Sequence, residues 1–306
     1  MNLNFKIPHE LIRGATELRG EAGAEWAGRL PSILAESERR WSLTIGRHFP
    51  NLWYNYAVLA ARDDGTTVVI KAGFPGDREF RTEAEALRLY DGRGAVQLIE
   101  ADLEQGVMLL EHLRPGTMLS TLEDNAQATS IAATVMKQLW RPAPAEHSFP
   151  TVADWGQGFA RMRERYGGGT GPLPEALVDR AERLFAELLA SMSGLVVLHG
   201  DLHHFNILAA ERQPWLAIDP KGVVGEPEYE VGAFLRNPTP DLLSNPHAGW
   251  ILSRRLDQFS EELSFDRERL RNWGMAQAVL SAWWSIEDHG YGGEEAIAFA
   301  ELLAGA

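Results

Sequence analysis

Apolar residues recur at helical spacing among charges from about Pro8 to Ser37, which predicts a long helix. Two β-prone runs follow, Tyr56 to Arg62 and Thr66 to Lys71, separated by Asp63, Asp64 and Gly65. The Asp-Gly step favours positive φ and predicts a tight hairpin that ends in Lys71. From Asp77 to Tyr90, Phe80, Ala84, Leu87 and Leu89 lie near one stripe of a second helix, with Gly92 and Gly94 as stop signals. Ala95 to Glu100 and Gly106 to Glu111 read as two more short strands. Beyond them the pattern is mostly helical. After a loop at Gly167 to Pro174, Pro174 opens a segment in which Leu177, Ala181, Leu184 and Leu188, with Phe185 and Leu189, predict an amphipathic helix of about five turns. Three short β-like runs, Leu195 to Leu198, Asn206 to Ala209 and Trp215 to Ile218, precede further helix up to the C-terminus. Strands first and helices later indicate the α+β class.

Composition narrows the function. With 306 residues, 45% hydrophobic and 24% charged, the chain has material for a packed core and for two domains. The net charge of −14 argues against a nucleic-acid backbone or an anionic membrane as partner and favours a cationic one. Most of the acidity lies late: residues 1–110 hold 13 basic and 16 acidic residues, a balance of −3, which leaves −11 for the rest. With no cysteine, a disulfide framework, a thiolate zinc site and a cysteine nucleophile are excluded. The opening Met1 to Glu10 lacks the charged start and apolar stretch of an export signal, and no run approaches the ~18 apolar residues of a membrane span. A soluble cytoplasmic protein, monomer or homodimer, is the expectation.

The chemistry concentrates in Leu195 to Gly222, LVVLHGDLHHFNILAAERQPWLAIDPKG, where polar residues sit at the ends of apolar runs. Asp201 and Asn206 flank a loop and Asp219 ends the next run. Magnesium takes hard oxygen ligands, commonly one or two carboxylates plus nucleotide phosphates, so Asn206 and Asp219 suit it. Asp201 is then left to orient a substrate hydroxyl and accept its proton. His199, Asp201, His203 and His204 invite a zinc reading, but that leaves Asn206, Asp219 and Lys71 unexplained. No G-x-S-x-G elbow offers a foothold for a serine hydrolase.

The run from His199 through Gly200, Asp201, Leu202, His203, His204 and Phe205 to Asn206, followed by Ile218-Asp219, resembles the H-x-D-x-x-x-x-N and metal-Asp pattern of protein-kinase-like small-molecule kinases. VVLHGDLHHFNIL with WLAIDPKG is similar to the aminoglycoside/hydroxyurea phosphotransferases, the group that contains the streptomycin 6-kinases. Val68 to Lys71 fits the third-strand lysine, Arg81 to Tyr90 the helix of its glutamate partner, Met108 to Gly116 the hinge, and Trp284 to Asp288 a late segment of the streptomycin-kinase group.

The resemblance implies a bilobal kinase-like fold. A small antiparallel-sheet, nucleotide-binding lobe would cover residues 1–110, a hinge 111–116, and a mainly helical catalytic and substrate-binding lobe 117–306. It implies ATP and Mg2+ as cofactors, with Lys71 on phosphate oxygens, Glu83 holding Lys71, the backbone of Glu111 to Leu113 at the adenine edge, Asn206 and Asp219 on magnesium, Asp201 as base and His199 bracing the loop. Glu85 rivals Glu83, but the two lie on different helix faces, and the family pattern favours Glu83.

The implied reaction is phosphoryl transfer to a hydroxyl of a small cationic molecule, foremost a streptomycin-like aminoglycoside. Another hydroxylated metabolite, hydroxyurea, or a nucleotide-binding pseudo-enzyme are the alternatives. Glu226, Glu228, Glu230, Glu287 and Asp288 are candidates for holding the cation, whereas Trp283 and Trp284 read as core. Lys221 could reach phosphate or cap a loop. The stretch from Thr44 to Ala57 has a single glycine, Gly46, and so departs from the G-x-G-x-x-G phosphate-covering turn; Asn55 or its backbone is the remaining candidate there. At the D-F-G position stand Asp219, Pro220 and Lys221, which points to a constitutively ordered metal site.

Overall fold

The computed structural model describes residues 7–50, 52 and 54–305. The first six residues of the opening segment, and Asn51 and Trp53 of the stretch after Thr44, lie outside the described residues. Two compact units emerge, Met1–Gly92 with Val96–Leu113, and Arg93–Ala95 with Arg114–Ala306.

In the first unit, helix α1 (His9–Trp41) is interrupted at Gly20, whose φ of 59° and ψ of −138° are not helical. It is followed by strands β1 (Leu43–His48), β2 (Tyr56–Arg62) and β3 (Thr67–Ala72), helix α2 (Arg78–Tyr90), and strands β4 (Leu98–Asp102) and β5 (Val107–Glu111). The strands form one antiparallel sheet in the order β1-β2-β3-β5-β4. The β2–β3 hairpin closes as expected, with Gly65 alone at positive φ, 83°, and its N–H on the Arg62 carbonyl. Leu11, Trp26, Leu30 and Leu34 of α1 join Ile45, Val58, Ile70 and Leu109 of the sheet in one buried cluster.

Strand alternation decides what happens to the lysine. Val68, Ile70 and Ala72 belong to that cluster, so Lys71, between Ala57 and Met108 in register, points to the other face. Helix α2 is capped by Asp77, whose side chain accepts the Glu79 N–H, and it ends at Asp91 in the left-handed conformation, one residue before the expected glycine. Its buried face carries Phe80, Glu83, Ala84, Leu87 and Tyr90, while Leu89 is half-buried at the edge.

The second unit contains strand β6 (Pro115–Met118), helix α3 (Asn125–Leu139), strand β7 (Arg141–Pro142), helices α4 (Val152–Arg165) and α5 (Glu175–Ala190), and strands β8 (Val196–Leu198), β9 (Ile207–Ala210), β10 (Trp215–Ala217) and β11 (Val223–Gly225). Helices α6 (Val231–Leu235), α7 (Asp241–Ser244), α8 (Ala248–Leu263), α9 (Arg267–His289) and α10 (Glu294–Ala304) complete it. The strands pair in two three-stranded antiparallel sheets, β10-β9-β6 and β11-β8-β7. The strand expected from Ala95 begins only at Leu98, and Ala95 instead bridges to Ala217 of β10.

In α5, Pro174 is the N-cap rather than the first helical residue. The buried stripe is Val178, Ala181, Phe185 and Leu188, with Leu177 and Leu184 half-buried, so the apolar face is rotated by about one position from the expected one. Helix α9 packs against α4, α5, α6, α8 and α10 and buries Trp273 and Trp283. Trp284 is only half-buried. Among the described residues no helix is long and apolar enough to cross a membrane.

Ile70 is fully buried beneath α1. Ile70→Ala is expected to lower the unfolding free energy by about 2–5 kcal/mol, read from urea denaturation, through lost burial and the cavity left behind.

Candidate active site

In the first unit, Lys71 Nζ donates to both carboxylate oxygens of Glu83, at 2.6 and 2.7 Å, and both side chains are 7% exposed. An ammonium buried on a sheet needs such a partner to offset its desolvation. Glu85 is half-buried and lies off this face. Glu111 ends β5, its N–H on the Gln97 carbonyl and its side chain accepting the Gln97 N–H, and Leu113 is buried two residues later. A Cβ on Gly73 would lie 2.7 Å from Asn55 Oδ1, so Asn55 packs closely on that glycine.

In the second unit, β8 delivers the chain into the loop His199-Gly200-Asp201. Gly200 has a φ of 83°, and a Cβ there would lie 2.7 Å from the Trp155 ring, so both backbone conformation and space require glycine. The fully buried His199 accepts the Asp201 N–H at Nδ1 (3.2 Å), which leaves Nε2 to donate to the Ile218 carbonyl (2.8 Å). Burial pushes the His199 imidazole down to about 4, so it is neutral at pH 7, and one ring ties the loop to the end of β10.

Asp201 stands between two basic side chains, with His203 Nε2 3.6 Å from Oδ2 and an Arg236 guanidinium nitrogen 3.6 Å from Oδ1. Burial alone would raise its carboxyl. His203, Arg236 and Lys221 together outweigh that and hold it below the usual carboxylate range. An ionised carboxylate at a loop tip can align a hydroxyl and take its proton.

Asn206 donates its amide N–H to the Asp201 carbonyl (3.0 Å), which turns its amide oxygen the other way, and its own carbonyl accepts the Ile218 N–H (2.9 Å). One residue later Asp219 is exposed, with a left-handed backbone (φ 59°) that turns the chain sharply after β10. An amide oxygen and an exposed carboxylate are hard donors of the kind magnesium takes. Lys221 follows with its N–H on the His199 carbonyl (2.8 Å), which closes the turn. His204 turns into the core, stacked on Phe234 and bonded to the buried Arg255.

The acidic residues expected around a cation divide by burial. Glu226 is 1% exposed and held by Arg269 and by the Trp273 N–H. Glu230, also 1% exposed, accepts the N–H groups of His199 (2.7 Å) and Gly200 (2.9 Å) and so supports the loop from beneath. Neither carboxylate faces solvent where a soluble cation could meet it. Glu287 is paired through both oxygens with Arg161, Glu228 is half-buried with its carboxyl raised by burial, and Asp288 is exposed. Sequence reasoning missed Arg236, His203 as a neighbour of Asp201, and Trp155, which packs edge-on against Trp284 beside Gly200. Arg236 and Trp155 carry no local signal and only the fold brings them to the loop, whereas His203 lies in the loop itself, two residues after Asp201.

A five-stranded antiparallel unit with a lysine–glutamate pair, and a mainly helical unit with this loop, define a protein-kinase-like fold. An aminoglycoside phosphotransferase solved with ADP and hygromycin B has the same fold, with a TM-score of 0.61 and 13% identity over 90% of this chain and 100% of that one. The family model described as aminoglycoside/hydroxyurea antibiotic resistance kinase matches residues 40–289, and the chain belongs to that family. It is therefore a kinase, a phosphotransferase with an alcohol group as acceptor. A streptomycin 6-kinase of Streptomyces glaucescens is 31% identical over 92% of this chain and 92% of its own length. A hydroxyurea phosphotransferase of Kitasatospora aureofaciens is 33% identical over 98% and 86%.

Glu230→Ala removes the acceptor of two buried N–H groups, at about 1–3 kcal/mol each, and is expected to destabilise the protein accordingly in urea titrations. The pH dependence has two opposed parts. Burial pushes the Glu230 carboxyl up to about 7, so between pH 4.5 and 7 the folded state keeps a proton that the unfolded chain has lost, and stability falls as pH rises. His199 acts oppositely: from pH 6.5 down to about 4 the unfolded chain alone gains a proton, and stability falls as pH drops. The stability gap between wild type and Glu230→Gln is expected to narrow from pH 4.5 to 8; a constant gap contradicts the raised carboxyl.

Proposed function

We propose that the protein transfers the γ-phosphoryl group of ATP to a hydroxyl of a small cationic molecule, foremost a streptomycin-like aminoglycoside. The observation that carries this reading is Asp201, an ionised carboxylate held between Arg236 and His203 on a loop braced by His199 and Glu230. The streptomycin 6-kinases among its relatives support the substrate class.

Lys71, fixed by Glu83, donates to phosphate oxygens, and the backbone from Glu111 to Leu113 meets the adenine edge. Asn206 and Asp219 would hold Mg2+, which supplies positive charge against the phosphate oxygens when bound. Asp201 aligns the acceptor hydroxyl and takes its proton, and most of the acceleration comes from positioning and electrostatics. In this reading residues 1–110 are the nucleotide-binding lobe, 111–116 the hinge and 117–306 the catalytic lobe, at work in the cytoplasm as monomer or homodimer.

Hydroxyurea is the second reading, favoured by the relative that matches 98% of the chain. Incubation with ATP, magnesium and either compound, followed by mass analysis for one added phosphate, separates the two. Asp201→Asn is expected to lower turnover about 10²–10⁴-fold while the nucleotide dissociation constant stays within about threefold. Near-normal turnover would remove Asp201 from its role. Lys71→Ala is expected to weaken nucleotide binding and turnover together, measured by calorimetry and initial rates.

A further inference from the structure

Arg255 of α8 is 2% exposed and has no part in the chemistry described above. Among the described residues no carboxylate pairs with it. Burial lowers its guanidinium to about 9, so it stays charged at pH 7. A buried cation without a counter-ion is tolerated only where neutral acceptors replace its hydration.

Arg255 finds those acceptors in two chain segments that meet at Asp201. Nη1 donates to the carbonyls of Phe234 (3.2 Å), Leu235 (3.2 Å) and Asn237 (2.5 Å), which bracket residue 236 on both sides. Phe234 and Leu235 end α6, where carbonyls lose their intrahelical donors and a cation is favoured. Nη2 lies 3.3 Å from Nε2 of His204, three residues after Asp201. A guanidinium only donates, so Nε2 is the acceptor and burial keeps the imidazole neutral. The Phe234 ring completes the contact: it stacks on His204 with centroids 3.9 Å apart and lies 5.1 Å from the guanidinium carbon. Nε donates to Asn125 Oδ1 at the start of α3 (2.8 Å), which fixes the plane of the group.

One planar fork thus joins the backbone that carries Arg236 to the loop that carries Asp201 and His203. Arg236 is held at its tip by Gln277 Oε1 (2.6 Å) and stands 3.6 Å from Asp201 Oδ1, while His203 stands 3.6 Å from Oδ2. Both separations exceed a hydrogen bond, so no direct bond fixes them and they depend on where the backbone places each side chain. A lysine at 255 keeps the charge but lacks the fork that serves all these acceptors at once.

We propose that Arg255 is a positioning residue for phosphoryl transfer, setting the separation between Arg236 and Asp201 by holding the end of α6 and His204 on one guanidinium. It acts through Arg236, not on any ligand. The inference rests on the reading of Asp201 as base, but the geometry it invokes is measurable without turnover.

The experiment compares wild type, Arg255→Lys, Arg236→Gln and the double variant Arg255→Lys/Arg236→Gln. Calorimetry with ATP counts folded nucleotide sites, and initial rates with streptomycin or hydroxyurea, whichever wild type phosphorylates, are divided by that count. Arg255→Lys is expected to lower kcat per site by about tenfold or more, with acceptor KM and the ATP dissociation constant within about threefold of wild type. Its crystal structure is expected to show the Arg236–Asp201 separation lengthened by about 1 Å or more. In the Arg236→Gln background the same lysine is expected to cost less than about threefold, because its target is gone. A merely structural arginine would reduce the number of sites rather than kcat per site, and its loss would multiply with that of Arg236.

An unchanged separation, an unchanged kcat per site, or the full loss persisting in the Arg236→Gln background overturns the proposal. Should Arg255→Lys bind no ATP, His204→Leu, which cuts only the loop-side contact, carries the same comparison with the same criteria. Wild-type protein that binds ATP but phosphorylates neither acceptor overturns the acceptor reading alone, and a lengthened separation in Arg255→Lys then still supports the positioning role.

Discussion

Two backbone N–H groups, those of His199 and Gly200, end on a single buried carboxylate, and the arrangement of the loop from His199 to Asp201 depends on that contact. Strand β8 stops at Leu198, and the left-handed turn at Gly200 takes the next amides out of the sheet, where they would be buried without acceptors. Glu230, in the short turn before α6, supplies both oxygens. Its position also explains its acidity: little solvent reaches it, and only hydrogen bonds favour the charged form. With the loop anchored below by Glu230 and sideways by the His199 ring on Ile218, the side chain of Asp201 has little freedom, and the turn at Asp219 is tied to the same frame.

The first unit solves a related problem by different means. Antiparallel alternation buries Ile70 against α1 and forces Lys71 to the opposite face, where a charged group would be costly without a counter-ion. Helix α2 supplies one because its amphipathic face includes Glu83 among apolar neighbours. The same periodicity that builds the core therefore also builds the ion pair.

Much of this was legible in the chain. The hairpin, α2 and the two strands that follow it were visible because period-two and period-3.6 patterns and turn residues agree locally. The loop from His199 to Asn206, with Asp219 after it, was visible because its polar residues interrupt apolar runs. The carboxylates were harder. Glu226, Glu228 and Glu230 alternate in sequence and look alike, yet one pairs with Arg269, one is half-buried and one supports a loop. That distinction rests on contacts 30 to 47 residues away, to His199, Gly200, Arg269 and Trp273, which no local pattern encodes. Arg236 was invisible for the same reason. Strand β11 was missed because three residues bounded by glycine offer too short an alternation to read.

The closed Lys71–Glu83 pair has a consequence for how the first unit meets an anion. In the proposed reading the lysine is already desolvated and aimed, so an arriving phosphate would find a donor that needs no rearrangement, and the entropy of ordering that side chain has been lost during folding rather than on capture. Affinity for the anion is thereby coupled to the rigidity of the five-stranded sheet. Damage that loosens the sheet without unfolding it would surface first as poorer ligand retention, a functional lesion that a melting curve would understate.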